Sequence, residues 1–346
     1  MSVSAASPRR ILAAAMVGTA VEYYDFYIYM TAATLVFAQL YFPSSRPDAA
    51  QFASFATFSV AFIARPLGAV VLGHFGDRIG RKSTLVTSLL LMGGSTFLIA
   101  FLPGYDAWGW WAPACLVALR FLQGFGLGGE WGGAVLLAVE NAPPGHEARY
   151  GSMPQQGSPL GFIIANGLIL AIAALMPDAR FLRWGWRIPF AASAVMVAIG
   201  LWIRLKITET PAFAAAMQQR ETVAVPLGSV LKHHWRKVLA GGVVATCTFM
   251  VFYVMSVFCL NYGTRTLGYS FKTFIGYQLL TIPLFSLMVI FSGWAADRRW
   301  SQAGMQKAGA LAAILCGALM PLMFKGHELG LLVTYLALLS ATMGLA

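Results

Sequence analysis

The sequence predicts an all-α integral membrane protein of about ten spans, arranged as two related helical bundles of which the second is incomplete. Three observations predict it. Of 346 residues, 58% are hydrophobic and only 11% charged, where a soluble domain carries about a quarter charged. Apolar runs of about twenty residues, the length that crosses a hydrocarbon core, recur along the whole chain. A charged turn, GHFGDRIGRK at 73–82, returns in weaker form as GWAADRR at 293–299.

The first apolar run, near 12–39, follows MSVSAASPRR and contains Glu22 and Asp25. That acidic pair and the lack of a clean cleavage site favour an uncleaved span over a signal peptide. Further spans fall near 53–76, 84–103, 111–138, 151–176 and 187–206. Residues 207–236, ITETPAFAAAMQQRETVAVPLGSVLKHHWR, hold too many proline, glutamine and charged residues for a conventional crossing helix. Spans near 237–261, 271–296, 305–324 and 330–346 follow. The expected organisation is therefore a six-helix bundle over 1–206, a cytoplasmic linker over 207–236, and about four helices of a second bundle over 237–346.

The formal charge of +11 does not point to nucleic acid, because the basic residues punctuate apolar runs instead of forming a stripe. With the N-terminus cytoplasmic, fifteen lysines and arginines fall on the cytoplasmic side and seven on the other, and the excess of positive charge favours that orientation. Cys115, Cys247, Cys259 and Cys316 stand singly in apolar segments and read as small buried hydrophobes. The five histidines are scattered and form no zinc set. No GxSxG, HExxH or P-loop pattern occurs, so neither an enzyme nor a bound cofactor is expected.

Asp77 and Asp297 lie 220 residues apart, each after the second apolar run of its half. A parallel internal repeat explains this, since it keeps corresponding loops on one membrane side. By that register the counterpart of span 4 would start at about 331 and run to about 358, past Ala346, so a final helix cut partway and about ten of twelve spans are expected here.

Ionisable groups within the spans are the candidate functional residues, because each is costly in lipid unless paired or turned to water. Glu22 and Asp25 are three positions apart and share a helix face, with Tyr29 a turn beyond. Glu22 and Asp25 are proton-coupling candidates, with static ion pairing to Arg65 or Arg120 as the rival, and Tyr29 is a substrate-binding candidate. Arg65, in FIARPLG, is the leading solute ligand, since its fork matches a carboxylate; a snorkelled or internally paired arginine is the alternative. Pro66 and Gly68 are expected to make room for it.

Arg120 and Gln123, substrate-binding candidates, sit one turn apart at the start of span 4, ahead of a stripe of small residues, Gly124, Gly128 and Gly132, which reads as helix packing. Glu130 interrupts that stripe, cannot pair with Arg120 along the helix, and is a further proton-site candidate. Span 5 offers Gln155, Gln156 and Asn166 as amides for solute or neighbouring helices, with Gly157 and Gly161 as a close-packing pair. In the charged turn, Gly73 and Gly76 are expected to let backbones approach and Gly80 to allow a tight bend. Asp77, Arg78, Arg81 and Lys82, echoed by Asp297 and Arg298, form either a gating latch or a basic loop that only fixes topology.

GHFGDRIGRK, RFLQGFGLGGEWGG at 120–133, GWRIPF at 185–190 and ETPAF at 209–213, with VEYYDF at 21–26, occur in one order over nearly the whole chain. Together they resemble the major facilitator superfamily, and more closely its metabolite:proton symporters. The resemblance implies two pseudo-symmetric six-helix bundles around a central site open to either side in turn. It implies a small organic solute carried with protons, by relatives that transport dicarboxylates, tricarboxylates, shikimate, proline or betaine. It supports a binding arginine at Arg65 and makes Arg187 similar to one in dicarboxylate carriers, an interfacial anchor being the alternative. It also implies that the first turn's aspartate is braced against the start of span 11. The partners expected are thus a small organic solute, protons and membrane lipid, not nucleic acid, with the chain as a monomer in a cell's inner membrane. Arg65, Arg120 and Arg187 lean the reading toward a carboxylate-bearing solute, an organic acid or a zwitterion, with a dicarboxylate-like one favoured. A solute-binding protein without flux, or an inactive fragment of a transporter, is the alternative.

Overall fold

The computed structural model describes residues 8–44, 46–79, 81–128, 135, 138–139, 141–206, 226–298, 300–323 and 328–345. Among these no strand occurs, and each predicted span falls on helix. Span 1 runs over Pro8–Ala32 and continues through a widened π turn, Ala33–Phe37, to Ala38–Tyr41. Spans 2, 3 and 4 are Pro47–Ile79, Arg81–Ile99 and Trp111–Leu127. Span 5 joins Glu147–Gln155 to Gly157–Leu175, and span 6 is Arg187–Lys206. Span 7 is Pro226–Tyr253, a π turn at Val254–Phe258, and Cys259–Arg265. Spans 8, 9 and 10 are Phe271–Arg298, Gln302–Met323 and Leu329–Leu345.

By length and apolarity, five of the described helices can cross a bilayer alone. The pair Asp178–Gly185 and Arg187–Ile203, bent by 49°, makes a sixth. Val86–Ile99, Trp111–Leu127 and Leu329–Leu345 are shorter apolar helices. The helix of span 7 begins at Pro226, earlier than the apolar pattern starts, and breaks at His234 (φ −128°, ψ 17°). Polarity marked this stretch as unfit to cross a membrane, and polarity does not prevent a helix from forming ahead of the crossing part.

Small residues decide which spans touch. A side chain at Gly124 would strike the backbone at Ala61, one at Gly128 the carbonyl of Arg65, and one at Gly68 the backbone of Phe125. Spans 2 and 4 therefore meet backbone to backbone, as the stripe predicts. Gly68 makes room for span 4 and not, as expected, for the Arg65 side chain. Gly157 and Gly161 do the same for span 5, lying against Thr19 and Ala20 and against Tyr23 and Tyr24 of span 1. At Gly73 a Cβ would meet nothing among the described residues.

The core between these spans is aromatic. Tyr27, Tyr29, Phe37, Tyr41, Phe162, Trp186 and Phe190 are all nearly inaccessible, and successive rings meet edge to face. Where span 1 widens, the Ala33 carbonyl accepts hydrogen bonds from Ser54 Oγ at 2.8 Å and Gln51 Nε2 at 3.2 Å. This satisfies a group that would be costly to leave bare in an apolar interior.

Candidate functional site

Span 1 carries the densest chemistry, because Glu22, Asp25 and Tyr29 are all buried in it. Glu22 lines a cavity of about 340 Å³ together with Tyr23 and Phe26, Phe62 and Arg65 of span 2, Gly128 of span 4, and Phe249, Phe252 and Tyr253 of span 7. The Arg65 guanidinium lies 4.7 Å from the Phe62 ring centre and 5.5 Å from that of Phe26, and its Nε donates to no partner. Stacked guanidinium groups keep their in-plane donors available to a ligand.

Asp25 lies deeper, outside the cavity lining, and only 1% exposed. Thr96 Oγ1 of span 3 lies 3.0 Å from Asp25 Oδ2 and also 3.0 Å from the Met92 carbonyl. Its single hydrogen can serve one or the other. Gln123 Nε2 donates to Thr96 Oγ1 at 2.9 Å, and Arg120 Nη1 donates to Gln123 Oε1 at 2.5 Å. Arg120 is thus joined to Asp25 through an amide and a hydroxyl. Asp25 Oδ1 and Arg120 Nε and Nη2 have no hydrogen-bond partner, so the two charges hold spare capacity toward each other. Arg120 also sits 3.9 Å from the centre of the Tyr29 ring, whose hydroxyl donates to Thr57 Oγ1 at 2.6 Å.

The other candidates are placed elsewhere. Arg187 Nη1 donates to the carbonyls of Ala100 and Leu102, both at 3.1 Å, and stacks on Trp186; it closes the end of span 3. Asn166 accepts from Thr31 Oγ1 at 2.8 Å and ties span 5 to span 1. Gln155 is half-buried, while its neighbour Gln156 bonds span 8, donating to the Ser286 carbonyl at 3.0 Å and accepting from the Ser286 hydroxyl. Glu130 and Gly80 lie outside the described residues, as do the placements of Gly76 and of the Asp77, Arg78, Arg81 and Lys82 side chains.

The second charged turn is described. Asp297 accepts hydrogen bonds from the backbone N–H of Ala148 at 2.9 Å and of Arg149 at 3.0 Å. A carboxylate there meets the positive end of the helix Glu147–Gln155. Arg298 stacks on Trp294. On the opposite face of the molecule, Arg265 Nη2 donates to Gln51 Oε1 at 2.5 Å, Lys272 pairs with Asp178 at 2.6 Å, and Phe181 stacks on Phe271. Sequence reasoning missed these contacts and the Thr96 link. Each uses a residue unremarkable in its own segment whose partner is distant in the chain.

Among the described residues no group of three histidine, cysteine or acidic side chains could hold a metal. The arrangement is a solute-sized cavity with one guanidinium and one carboxylate, backed by a buried acid–arginine network.

The family of sugar (and other) transporters matches residues 11–226. The inner membrane metabolite transport protein YhjE of Escherichia coli is 44% identical, over 98% of this chain and 78% of its own length. The shikimate transporter of the same organism is 40% identical over 86% of this chain and 68% of its own length. The E. coli proline/betaine transporter is 34% identical over 76% of this chain and 54% of its own. In fold, the chain is similar to the E. coli xylose transporter XylE in a partially occluded inward-open conformation. That match has a TM-score of 0.71 at 16% identity, over 98% of this chain and 82% of that one. A double-tryptophan variant of the same transporter gives 0.74 at 18% identity, over 98% and 79%.

Proposed function

The chain belongs to the sugar (and other) transporter family of the major facilitator superfamily, whose members are transporters and not enzymes, and on that premise we propose that it is a proton-coupled symporter for a small carboxylate-bearing solute, an organic acid or a zwitterion, in a cell's inner membrane. Its metabolite-, shikimate- and proline/betaine-transporting relatives support the solute class.

The observation that carries the proposal is the pairing of an accessible arginine with an inaccessible acid. Arg65 lines the cavity with its Nε unpaired, while Asp25 lies outside the lining and is joined to Arg120 through Gln123 and Thr96. The solute's carboxylate takes two parallel hydrogen bonds from the Arg65 fork. A proton on Asp25 removes a buried charge and lets that acid donate, which turns the Thr96 hydrogen toward Met92 and loosens the hold on Gln123 and Arg120. Span packing thereby feels the proton, which symport by alternating access requires.

Two sets of contacts are suited to break in turn. On one face Asp297 caps the helix at Ala148 and Arg149; on the other Arg265 meets Gln51 and Lys272 meets Asp178. The charge count puts the N-terminus and the Asp297 turn in the cytoplasm, with 1–206 as one bundle and 237–346 as part of a second. Reporter fusions at 73–82 and 293–299 on opposite membrane sides would overturn that orientation.

Solute uptake into proteoliposomes under an imposed pH gradient tests the function. Accumulation that a protonophore abolishes is the expected result, and binding without flux would refute symport.

A further inference from the structure

Span 1 widens into a π turn at Ala33–Phe37 and span 7 does so at Val254–Phe258. The two turns start 221 residues apart, one more than the spacing of Asp77 and Asp297. Each half therefore carries the same irregularity at matching register, and π turns tend to mark functional positions in a helix.

A widened turn leaves carbonyls off the regular helix ladder, and in both halves a glutamine of the following span supplies a donor. Gln51 Nε2 donates to the Ala33 carbonyl at 3.2 Å, beside Ser54 Oγ at 2.8 Å, and Gln278 Nε2 donates to the Met255 carbonyl at 2.6 Å. Both glutamines are buried. They differ at the other end of the amide. Gln51 Oε1 accepts at 2.5 Å from Nη2 of Arg265, the last residue of the helix Cys259–Arg265. One amide thus holds the span 1 turn by its nitrogen and the end of span 7 by its oxygen.

The two bonds support each other, because a cation on the amide oxygen polarises the group and makes its N–H a stronger donor. A helix turns about 100° per residue, so the extra residue at Val254–Phe258 also sets the side on which Arg265 leaves span 7. Phe252 and Tyr253, which line the cavity, come directly before that turn.

We propose that Gln51, which is not part of the cavity lining, is a positioning residue that ties the π turn of span 1 to the end of span 7. The Ala33–Phe37 turn is then held fast only while Arg265 is docked. When Arg265 leaves, the Ala33 carbonyl keeps Ser54 alone, and the helix end Ala38–Tyr41 is freed to move. The proposal deepens the transport reading and rests on it for its purpose: opening at this face loosens span 1 beyond Tyr29 without contact from the solute.

Hydrogen exchange read by mass spectrometry on the full chain in detergent, with no solute present, tests the tie. The readout is exchange over residues 33–41 divided by that over Gly157–Leu175 in the same sample. Arg265 is exposed, so its replacement leaves no cavity. Arg265→Met should raise the ratio about fivefold, as for the loss of one hydrogen bond, although the bond removed lies on Gln51 and not on the turn. Gln51→Leu should do the same, and the double variant should exceed either single one by less than about twofold. Arg265→Lys, which keeps a charged donor, should stay within about twofold of the parent. A ratio unchanged in Arg265→Met, whether nothing moves or exchange rises everywhere, would overturn the proposal, as would additive effects in the double variant or an Arg265→Lys variant as labile as Arg265→Met. Uptake that ignores a protonophore, with this exchange pattern intact, would refute symport and leave the tie standing.

Discussion

Arg65 and Arg120 stand in equivalent sequence settings, each a lone cation in an apolar span, and the structure treats them differently. Arg120 is enclosed, 1% exposed, with one donor on Gln123 and its face on Tyr29. Arg65 borders the cavity with its guanidinium on the rings of Phe62 and Phe26. On the proposed function the enclosed cation senses the buried acid and the bordering one meets the solute. Neither residue type nor hydrophobic context separates these roles, because an arginine always needs a counter-group and the sequence does not say whether protein or solute supplies it.

The largest expected effect comes from Asp25, the acid on Arg120's side of the comparison. Asp25→Asn should turn gradient-driven accumulation, worth about tenfold per pH unit for one coupled proton, into simple equilibration. Counterflow exchange in the same vesicles should persist. Accumulation retained in full would place proton coupling elsewhere and leave Arg120 a structural residue.

Gly128→Ala tests whether the two arginines share a frame. Its Cβ would press on the carbonyl of Arg65, and such overpacking costs about 1–3 kcal/mol. A lowered unfolding temperature together with weakened solute binding is expected. A stable variant with unchanged binding would show that spans 2 and 4 can shift apart without disturbing Arg65.

Arg65→Lys comes next. Charge survives but the two-pronged geometry is lost, so solute affinity should fall about tenfold, near 1.4 kcal/mol, with thermal stability unchanged. An affinity equal to the parent's would remove Arg65 as the carboxylate ligand. The smallest effect belongs to Asp178→Asn, which breaks a partly exposed ion pair with Lys272 worth about 0.5 kcal/mol at most. Stability should barely move, while cysteine labelling between the 176–186 and 266–270 segments should speed up if that contact holds one face shut.

Much of the fold was readable because its causes are local. Twenty apolar residues in sequence make a span wherever they occur, and glycines four apart, as at 124 and 128 or 157 and 161, make a face that another helix can approach. Asp25 was readable as a candidate because a carboxylate in a membrane helix is costly unless paired or turned to water. Thr96 was not, since a threonine in an apolar helix ordinarily bonds its own preceding turn, as this one also does through Met92. Gln156, not Gln155, bridges to span 8, and a difference of one residue is a matter of helix rotation that sequence leaves open.

By itself the sequence determined that this chain is a bundle of apolar helices with a few expensive charges, because burial in lipid and helix length follow from composition along a single segment. The tertiary structure decided which charges face the cavity, which are tied off on carbonyls as Arg187 is, and that Gln123 and Thr96 link Arg120 to Asp25 by hydrogen bonds. Those outcomes depend on the rotation and depth of one helix against another, set by packing between residues far apart in the chain.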